Sequence, residues 1–512
     1  MKINQLKAGA VLSYIFMGLG YSISIIYTPL MLRLLGQNEY GLYNLVASIV
    51  AYLGILNFGF GSAYIRYYSR HKSNNDFVNI AKINGMFLIV FSSIGLIAVL
   101  AGMILIFNTD AIFGTKLTSG ELLTAKTLMA IMVFNIALSF PSIVFNSHIT
   151  ANEKFVFQKI TQVVKVIVNP FLILPILFLG YGSVGMVIVS TVLNFIIEII
   201  NIMFCFKKLH IKFSFHGFDI VLMREMTVFS SFVFLHMVMN QVLWNVDKFI
   251  LGRIWGTTTV AIYSLAAQLN MYYLSFSTAI SNVFIPRVNN IVFSSDDING
   301  NKELTDLLVR VGRLQFIIVS LILLGLIFFG RPFIFMWAGK NYIESYPIAM
   351  LLIIPVTFPL IQNLGIEILR AKNLQKFMAI INVFIALLNV FVSIPLAKMY
   401  GGVGSALGTA ISLIIGNLLI ANLYYHYKIG LNMKRFWLEI IRLLPGLIPP
   451  IILGIILFLF LDIYKLRYFI ISIISFTITY FCAIWRFGMN KYEKDLIKIP
   501  IEHIRAKIKA KN

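Results

Sequence analysis

The polar residues with the clearest chemical potential lie in one apolar stretch near the middle of the chain. His236, Asn240 and Asp247 follow one another at spacings of four and seven residues, so a helix would place them on one face. Lys248 follows Asp247 directly and would project about 100° away from it on a helix, so the two need not pair. Ionisable groups at membrane depth usually face a protein interior or a wet cavity. The stripe therefore predicts either the wall of a polar cavity or polar contacts with a neighbouring helix.

A second set of candidates consists of cationic side chains. Most of them lie at the ends of apolar runs, whereas Lys165 lies in the middle of one. Arginine suits phosphate because its planar group can bond two oxygens at once. Arginine at a helix end also commonly extends to lipid headgroups, and this alternative stays open. The candidates for binding an anionic group are Arg33, Arg66, Lys165, Arg253 and Arg287.

Residues 33–45 form a short polar elbow that is nearly repeated at residues 253–265, 220 residues later. The aligned pairs are Arg33 and Arg253, Gly36 and Gly256, Tyr43 and Tyr263, and Leu45 and Leu265. Further matches are Asn169 with Asn389, Pro175 with Pro395, and residues 181–185 with residues 400–404, the last one residue off. A repeat of this length predicts two homologous halves.

The composition indicates the elements that position these residues. The 512 residues are 59% hydrophobic and 12% charged, with a mean hydropathy of +0.88, whereas soluble domains carry about 25% charged residues. We expect an all-α polytopic membrane protein with about 14 transmembrane helices, because a span needs about 20 apolar residues. The predicted spans are 8–32, 39–65, 80–107, 122–146, 156–180, 183–206, 226–252, 257–285, 310–330, 347–369, 375–398, 403–427, 440–461 and 467–487.

The repeat groups these spans into two pseudo-symmetric six-helix lobes. We expect an N-terminal lobe at 1–210, a C-terminal lobe at 211–430, two additional helices at 431–490 and a basic cytoplasmic tail at 491–512. The opening pair of spans in each lobe is polar for a membrane helix. These four spans could converge on one central space, which is the arrangement of a transporter.

The net charge of +22 has a membrane explanation. Lys and Arg are concentrated in alternate loops, which predicts that both termini are cytoplasmic. Nucleic-acid binding is not needed to explain the charge. The tail mixes basic and apolar residues, as does a helix that lies on an anionic leaflet.

No residues are predicted to be catalytic or to bind a metal. The chain lacks a Gly-rich nucleotide loop with a Lys-Ser/Thr pair. The seven His have no pairing at metal-ligand spacing, and Cys205 and Cys482 have no motif spacing. We therefore do not expect an enzyme.

Several of these motifs resemble a known family. Residues 35–43, then 56–63 and Arg66, resemble the opening of bacterial polysaccharide-repeat-unit flippases, of O-antigen or capsule type. Residues 247–252 and 263–265 are similar to the midpoint of the same family. These flippases belong to the multidrug/oligosaccharidyl-lipid/polysaccharide exporter superfamily, and the resemblance extends along the whole chain.

The resemblance implies a flippase in the bacterial cytoplasmic (plasma) membrane. It would move undecaprenyl-diphosphate-linked oligosaccharide from the inner to the outer leaflet by alternating access, without a cofactor and with coupling to a proton or sodium gradient. In relatives, cationic cavity residues hold the diphosphate, and transport is often coupled to an ion gradient. The positions that could match such roles here are Arg33, Arg66, Lys165, Asp247 and Arg253. The implied partners are the lipid-linked oligosaccharide, membrane lipids and other polysaccharide assembly proteins, with no nucleic acid.

Three alternatives stay open. A peptidoglycan-precursor lipid flippase would use the same logic for a different headgroup. A drug or cation exporter of the same fold would need a net acidic cavity, whereas deep cations outnumber deep acids here. A polysaccharide polymerase or ligase would need a large outer loop with catalytic Arg or His, and no loop between the predicted spans is that large.

Overall fold

Long apolar runs fold as helices in lipid because a helix satisfies every backbone polar group internally. The structure is a computed structural model that describes residues 5–216, 220–294, 297–496 and 498. Its first helices are α1 (Gln5–Val50), α2 (Phe60–Ser73), α3 (Phe77–Phe107), α4 (Thr109–Phe113), α5 (Ser119–Ala151), α6 (Phe155–Phe178), α7 (Gly182–Lys207) and α8 (Ile220–Trp255). The others are α9 (Thr257–Ser294), α10 (Asp297–Ala338), α11 (Ser345–Ile361), α12 (Leu364–Ala371), α13 (Gln375–Leu413), α14 (Ala421–Tyr427), α15 (Met433–Ile441), α16 (Ile448–Phe460) and α17 (Leu466–Ala483).

Nine helical stretches in the described residues are long and apolar enough to cross a membrane, or ten if the bent pair α11 and α12 forms one span. Two of these stretches, Leu12–Ser73 and Lys376–Tyr427, have 62 and 52 residues, so each exceeds the length of one span. The prediction of an all-α polytopic membrane protein is confirmed. The count of 14 spans stays a prediction.

The helices α8 and α9 do not belong to this apolar set in the described part of the chain. They cover the seventh and eighth predicted spans, whose polar residues include Asp247, Lys248 and Asn270. A helix with such residues is less apolar than one that faces lipid all round. The polar residues of the seventh and eighth predicted spans therefore make α8 and α9 less apolar than the other long helices.

The chain divides into two compact units. Unit 1 contains Met1–Ser264 and Ile394–Ser405, and unit 2 contains Leu265–Ser393 and Ala406–Asn512. In unit 1, α5 packs on α3 and α7, while α1 packs on α6 and α8. In unit 2, α10 packs on α11, α15 and α17. The predicted lobes at 1–210 and 211–430 follow the sequence repeat and stay a prediction.

Four glycines shape the backbone at repeat-equivalent positions. Gly36 interrupts α1 with a φ of 73°, and Gly256 separates α8 from α9 with a φ of 87°. Gly182 at the start of α7 has a φ of 55°, and Gly401 interrupts α13 with a φ of 57°. Glycine adopts this left-handed conformation without a steric penalty. The predicted elbow at Gly36 and its repeat at Gly256 are confirmed.

Each unit has its own aromatic core. In unit 1, buried aromatic residues of α2 and α3 pack with α5, Tyr64 and Phe87 among them. In unit 2, Phe329 of α10 packs against Phe469 and Phe476 of α17. Many large apolar side chains lie instead on the outer faces of the helices, as suits contact with lipid.

Candidate functional site

The carboxylate of Asp247 joins three helices of unit 1. Asp247 lies on α8 and is 1% exposed. The Tyr263 hydroxyl of α9 donates a hydrogen bond to Oδ2 over 2.6 Å, and the Ser405 hydroxyl of α13 donates one to Oδ1 over 2.6 Å. Burying a charged group is costly unless hydrogen bonds replace its water. These two hydroxyls therefore replace part of the water that the Asp247 side chain loses on burial.

Two glycines bring the donors to Asp247. At Gly256 the chain passes from α8 into α9, and Tyr263 follows seven residues later. Gly401 interrupts α13 four residues before Ser405. Both glycines use the left-handed conformation, which other residues adopt only with strain. The elbow motif thus has a direct role in assembling the Asp247 contact.

The polar residues of α8 around Asn240 fall into two groups. The Gln241 amide donates to the Ala51 carbonyl over 2.7 Å, and the Tyr52 hydroxyl donates to the Gln241 carbonyl over 3.4 Å. These bonds fix α8 to the turn after α1 and match the polar-contact interpretation. His236 and Asn240 are exposed, and the Asn240 amide donates to Nδ1 of His236 over 2.5 Å. Their predicted place in a cavity wall stays a prediction.

The two lysines among the candidates are half-buried in unit 1. Lys165 on α6 interacts electrostatically with Glu198 on α7, whose carboxylate accepts a hydrogen bond from the Asn146 amide over 3.2 Å. Lys248 interacts electrostatically with its neighbour Asp247. Both lysines therefore lie near a carboxylate. The structure does not bring Lys165 into the Asp247 contact.

The four candidate arginines have exposed side chains. Arg33, Arg66 and Arg253 belong to unit 1, and Arg287 belongs to unit 2. Exposure suits both interpretations of these residues, since phosphate binding and extension to headgroups each need an accessible guanidinium. Their role in substrate binding stays a prediction.

A related contact exists at the repeat-equivalent positions of α1 and α7. The Tyr27 hydroxyl donates to the sulfur of Met186 over 3.7 Å. Thioether sulfur is a weak acceptor, and no charge is involved. The equivalent pairs are Tyr27 and Asp247, Tyr43 and Tyr263, and Met186 and Ser405.

Another contact recurs at repeat-equivalent positions, once in each unit, with offsets of 220 residues for the asparagines and 219 for their partners. In unit 1, the Ser190 hydroxyl donates to Oδ1 of Asn169 over 3.4 Å. In unit 2, the Asn389 amide donates to the Thr409 hydroxyl over 2.8 Å. The first bond holds α6 against α7, and the second joins the two parts of α13 on either side of Gly401. The second bond is shorter and fully buried.

The two elbows contact each other within unit 1, and they do so through equivalent residues. The Thr258 hydroxyl donates to Oδ1 of Asn38 over 2.7 Å, and these residues are 220 positions apart. A Cβ added to Gly41 would lie 1.9 Å from the Thr257 carbonyl oxygen and 3.2 Å from the nitrogen of Ala261, the repeat equivalent of Gly41. Equivalent residues of the two elbows therefore contact each other.

Three partners of the candidate residues are not among the predicted site residues. Tyr263 belongs to the repeated elbow, so the repeat was a usable signal for it. Ser405 is the repeat equivalent of Met186, and nothing in its local sequence indicates a contact with Asp247. Glu198 pairs electrostatically with a lysine from another helix. Within the described ranges, no group of three His, Cys, Asp or Glu side chains could hold a metal ion.

Two solved transporter structures share this fold over most of both chains. "Lipid II flippase MurJ, inward closed conformation" is 20% identical, covers 96% of this chain and 99% of its own, and superposes with a TM-score of 0.73. "Inward-facing conformation of a multidrug resistance MATE family transporter of the MOP superfamily" is 14% identical, covers 81% of this chain and 96% of its own, and has a TM-score of 0.63. The fold is therefore that of these membrane transporters.

The family follows from the sequence. The family model described as "Polysaccharide biosynthesis protein" matches residues 6–292, more than half of the chain, and the chain belongs to this family. A Shigella flexneri protein named "Putative O-antigen transporter" is 26% identical over 427 residues, which are 79% of this chain and 95% of that protein. The chain is thus a multi-pass membrane protein of the polysaccharide biosynthesis family.

Proposed function

We propose that this protein is a flippase for undecaprenyl-diphosphate-linked oligosaccharide repeat units. It would carry them from the inner to the outer leaflet for export of a surface polysaccharide. The observation that carries the proposal is membership of the polysaccharide biosynthesis family together with similarity to the Shigella protein. A diphosphate with attached sugars cannot cross hydrocarbon unaided, because its polar groups would lose water without replacement. A polar path through the protein removes this barrier.

In the proposed mechanism the protein alternates between inward and outward access, and the polyprenyl chain stays in lipid. The exposed guanidinium groups of Arg33, Arg66 and Arg253 would bind diphosphate oxygens, two at a time. His236 and Asn240 offer neutral hydrogen-bonding groups for sugar hydroxyls. Lys165, Lys248 and Arg287 complete the proposed substrate-binding set, and for each of them contact with substrate is a proposal.

We further propose that Asp247 couples transport to a proton or sodium gradient. As an ionised carboxylate it accepts hydrogen bonds from Tyr263 and Ser405. When it binds a proton, one oxygen becomes a donor and a weaker acceptor, so the hydrogen bond to one of the two hydroxyls weakens or reverses its direction. A sodium ion would instead be bound by the same carboxylate and hydroxyl oxygens. Either event changes the junction of α8, α9 and α13.

The proposed location is the bacterial cytoplasmic membrane, with both termini in the cytoplasm. The excess of Lys and Arg in alternate loops supports this orientation. Association with other polysaccharide assembly proteins is part of the proposal. Attachment of a cysteine-reactive, membrane-impermeant label at an introduced terminal cysteine tests the orientation, and labelling of intact cells would contradict it.

The decisive experiment deletes the gene in its host and complements it from a plasmid. We expect lipid-linked repeat units to accumulate on the inner leaflet and the surface polymer to disappear, and complementation should reverse both changes. Unchanged surface polymer together with new sensitivity to cationic compounds would overturn the proposal in favour of a drug exporter.

Complementation also tests the arginines. Arg33→Gln, Arg66→Gln and Arg253→Gln remove a charge while keeping a polar side chain. Arg467→Gln is the matched control, because Arg467 is also exposed but lies at the start of α17, outside the predicted lobes. We expect the first three variants to reduce surface polymer and the control to restore it fully. An arginine whose replacement leaves surface polymer unchanged does not bind the substrate.

A second candidate function is translocation of a peptidoglycan precursor, which similarity of fold to the MurJ structure favours. This candidate predicts that the chain restores growth when the host's own precursor flippase is depleted. The proposed polysaccharide function predicts no growth under that depletion. The two functions are therefore separated by one complementation experiment.

A further inference from the structure

A buried arginine in unit 2 joins two segments near the C-terminus to α10. Arg313 is 2% exposed, and it binds Glu493 through two parallel bonds, Nε to Oε1 over 2.5 Å and Nη2 to Oε2 over 3.0 Å. Its Nη1 donates to the Glu439 carbonyl on α15 over 2.7 Å, and its Nη2 also donates to the Gly488 carbonyl over 2.9 Å. Every nitrogen of the guanidinium therefore has a partner. Such a paired, hydrogen-bonded charge tolerates burial.

Helix α15 lies against α10 on one side only. Its buried face contains Met433, Phe436 and Ile440, and a Cβ on Gly312 would lie 2.5 Å from the Phe436 ring. Its other face is exposed, with Leu438 60% and Ile441 53% exposed. Lys434 and Arg442 are exposed beside them. Apolar and basic residues that alternate on an exposed helix face are typical of a helix at a membrane surface.

The segment after α17 has the same character. Residues 491–496 form a helical turn in which Glu493 accepts from the Asn490 backbone over 2.9 Å while the Asn490 side chain accepts from the Glu493 backbone. Lys491 and Lys498 are exposed, and Leu496 is 44% exposed. Because Arg313 holds both Glu493 and the backbone of Glu439, this segment and α15 meet at one place on unit 2.

We propose that this part of unit 2 is a binding surface for anionic phospholipid headgroups of the inner leaflet. The basic C-terminal surface is defined by seven residues: Lys434, Leu438, Ile441, Arg442, Arg486, Lys491 and Lys498. Its cations complement the phosphate of an anionic lipid, and its apolar members contact the acyl boundary. Arg313 neutralises the buried Glu493, and Glu439 is shared between Arg313 and the exposed Arg442, so both acids of this region are paired. The proposal stands whether or not the chain is a flippase.

The surface is not expected to serve a soluble phosphate. Leu438 and Ile441 are more than half exposed, and exposed aliphatic side chains next to cations lower the free energy of binding only when acyl chains are present. An anionic lipid satisfies both the charge and the apolar area. A free anion would satisfy the charge alone.

The test uses the purified full chain in a neutral detergent. Thermal unfolding is followed while either phosphatidylglycerol or phosphatidylcholine is added, and the lipid dependence of the midpoint gives an apparent affinity. The variant Lys434→Gln/Arg442→Gln/Lys491→Gln/Lys498→Gln removes four surface cations. The control Arg70→Gln/Lys207→Gln/Lys208→Gln/Lys212→Gln removes four exposed cations from unit 1.

We expect the unmodified protein and the control to prefer phosphatidylglycerol. The four-cation variant should lose at least about tenfold in apparent affinity for it, since each cation near an anionic surface contributes on the order of 1 kcal/mol and 1.4 kcal/mol is tenfold. Affinity for phosphatidylcholine should not change. An equal loss in the control, or no preference in the unmodified protein, would overturn the proposal. So would displacement of phosphatidylglycerol by millimolar inorganic pyrophosphate, which carries the charge without acyl chains.

Discussion

Two contacts at repeat-equivalent positions differ in one respect that bears on function, because only one of them contains a carboxylate. In the contact on α1, the Tyr27 hydroxyl meets the thioether of Met186. In the contact on α8, Asp247 accepts hydrogen bonds from two hydroxyls while almost fully buried. Equivalent positions of the sequence repeat thus form a contact in both places, but with different chemistry. A group that can bind and release a cation is present in one copy of the contact.

This difference bears on how a gradient could act on the protein. A tyrosine keeps its proton at physiological pH, so the Tyr27 contact has a single state. A carboxylate can be ionised, protonated or bound to a cation, and each state changes the hydrogen bonds that it makes. If transport is coupled as proposed, the coupling depends on the Asp247 contact, and the Tyr27 contact keeps the same state throughout the cycle.

The largest expected effect comes from a disulfide cross-link between the two elbows. Asn38 and Thr258 are repeat equivalents in direct contact, so Asn38→Cys and Thr258→Cys should cross-link. Cys205 and Cys482 are free and are replaced first. We expect oxidation to stop transport completely and reduction to restore it, because alternating access requires the elbows to separate. Export of labelled repeat units in proteoliposomes measures this effect.

The single-cysteine variants are the controls for the elbow cross-link, and oxidation should leave both of them active. Full activity of the cross-linked double variant would show that the elbows stay together throughout the cycle. In that case the contact between the elbows would be permanent and would not belong to a gate.

The next effect separates the two contacts directly. Asp247→Asn keeps the shape of the side chain but removes its charge, whereas Tyr27→Phe removes a hydroxyl that makes a weak bond. We expect the first variant to lose at least about tenfold in the transport rate, which corresponds to 1.4 kcal/mol, and the second to lose less than about twofold. Surface polymer in complemented cells, normalised to the amount of protein in the membrane, is the measurement. Near-normal transport by Asp247→Asn would remove the proposed coupling from this contact.

The elbows and the polar helices could be predicted from the sequence for physical reasons. Gly36 and Gly256 hold left-handed backbone conformations that favour glycine, so the residue type itself carries the information. Asp247 is conspicuous because a charge in an apolar run is costly and demands a partner. Local chemistry of this kind is visible in one sequence.

The partners could not be predicted in the same way. Ser405 reaches Asp247 from another helix, 158 residues away in sequence, and a serine in an apolar helix carries no signal of its own. The pairing of Lys165 with Glu198 and of Arg313 with Glu493 likewise depends on how each helix is rotated against its neighbour. Rotation follows from packing of whole helix faces, which local periodicity indicates only roughly.

A smaller effect is expected at Gly41 in the first elbow, whose repeat equivalent is Ala261. A Cβ at Gly41 would lie 1.9 Å from the Thr257 carbonyl oxygen, so Gly41→Ala must push the elbows apart, at a cost of about 1–3 kcal/mol in the free energy of unfolding. Gly18→Ala is the control, because nothing lies within 4 Å of its Cβ. The midpoint of thermal unfolding in detergent should fall for the first variant only. Equal midpoints would mean that the elbows separate at little cost.

The smallest effect concerns the asparagine contacts, which test whether the two copies also differ in stability. Thr409→Val keeps the shape of the side chain but removes the acceptor of the buried Asn389 amide, and we expect a cost of about 1 kcal/mol. Ser190→Ala breaks the half-buried hydrogen bond of 3.4 Å to Asn169. We expect it to lower the free energy of unfolding by at most about 0.3 kcal/mol. Thermal unfolding of both variants in one detergent gives the comparison. Equal shifts would show that the copies are energetically alike at this contact, and the asymmetry of the molecule would then be confined to the carboxylate of Asp247.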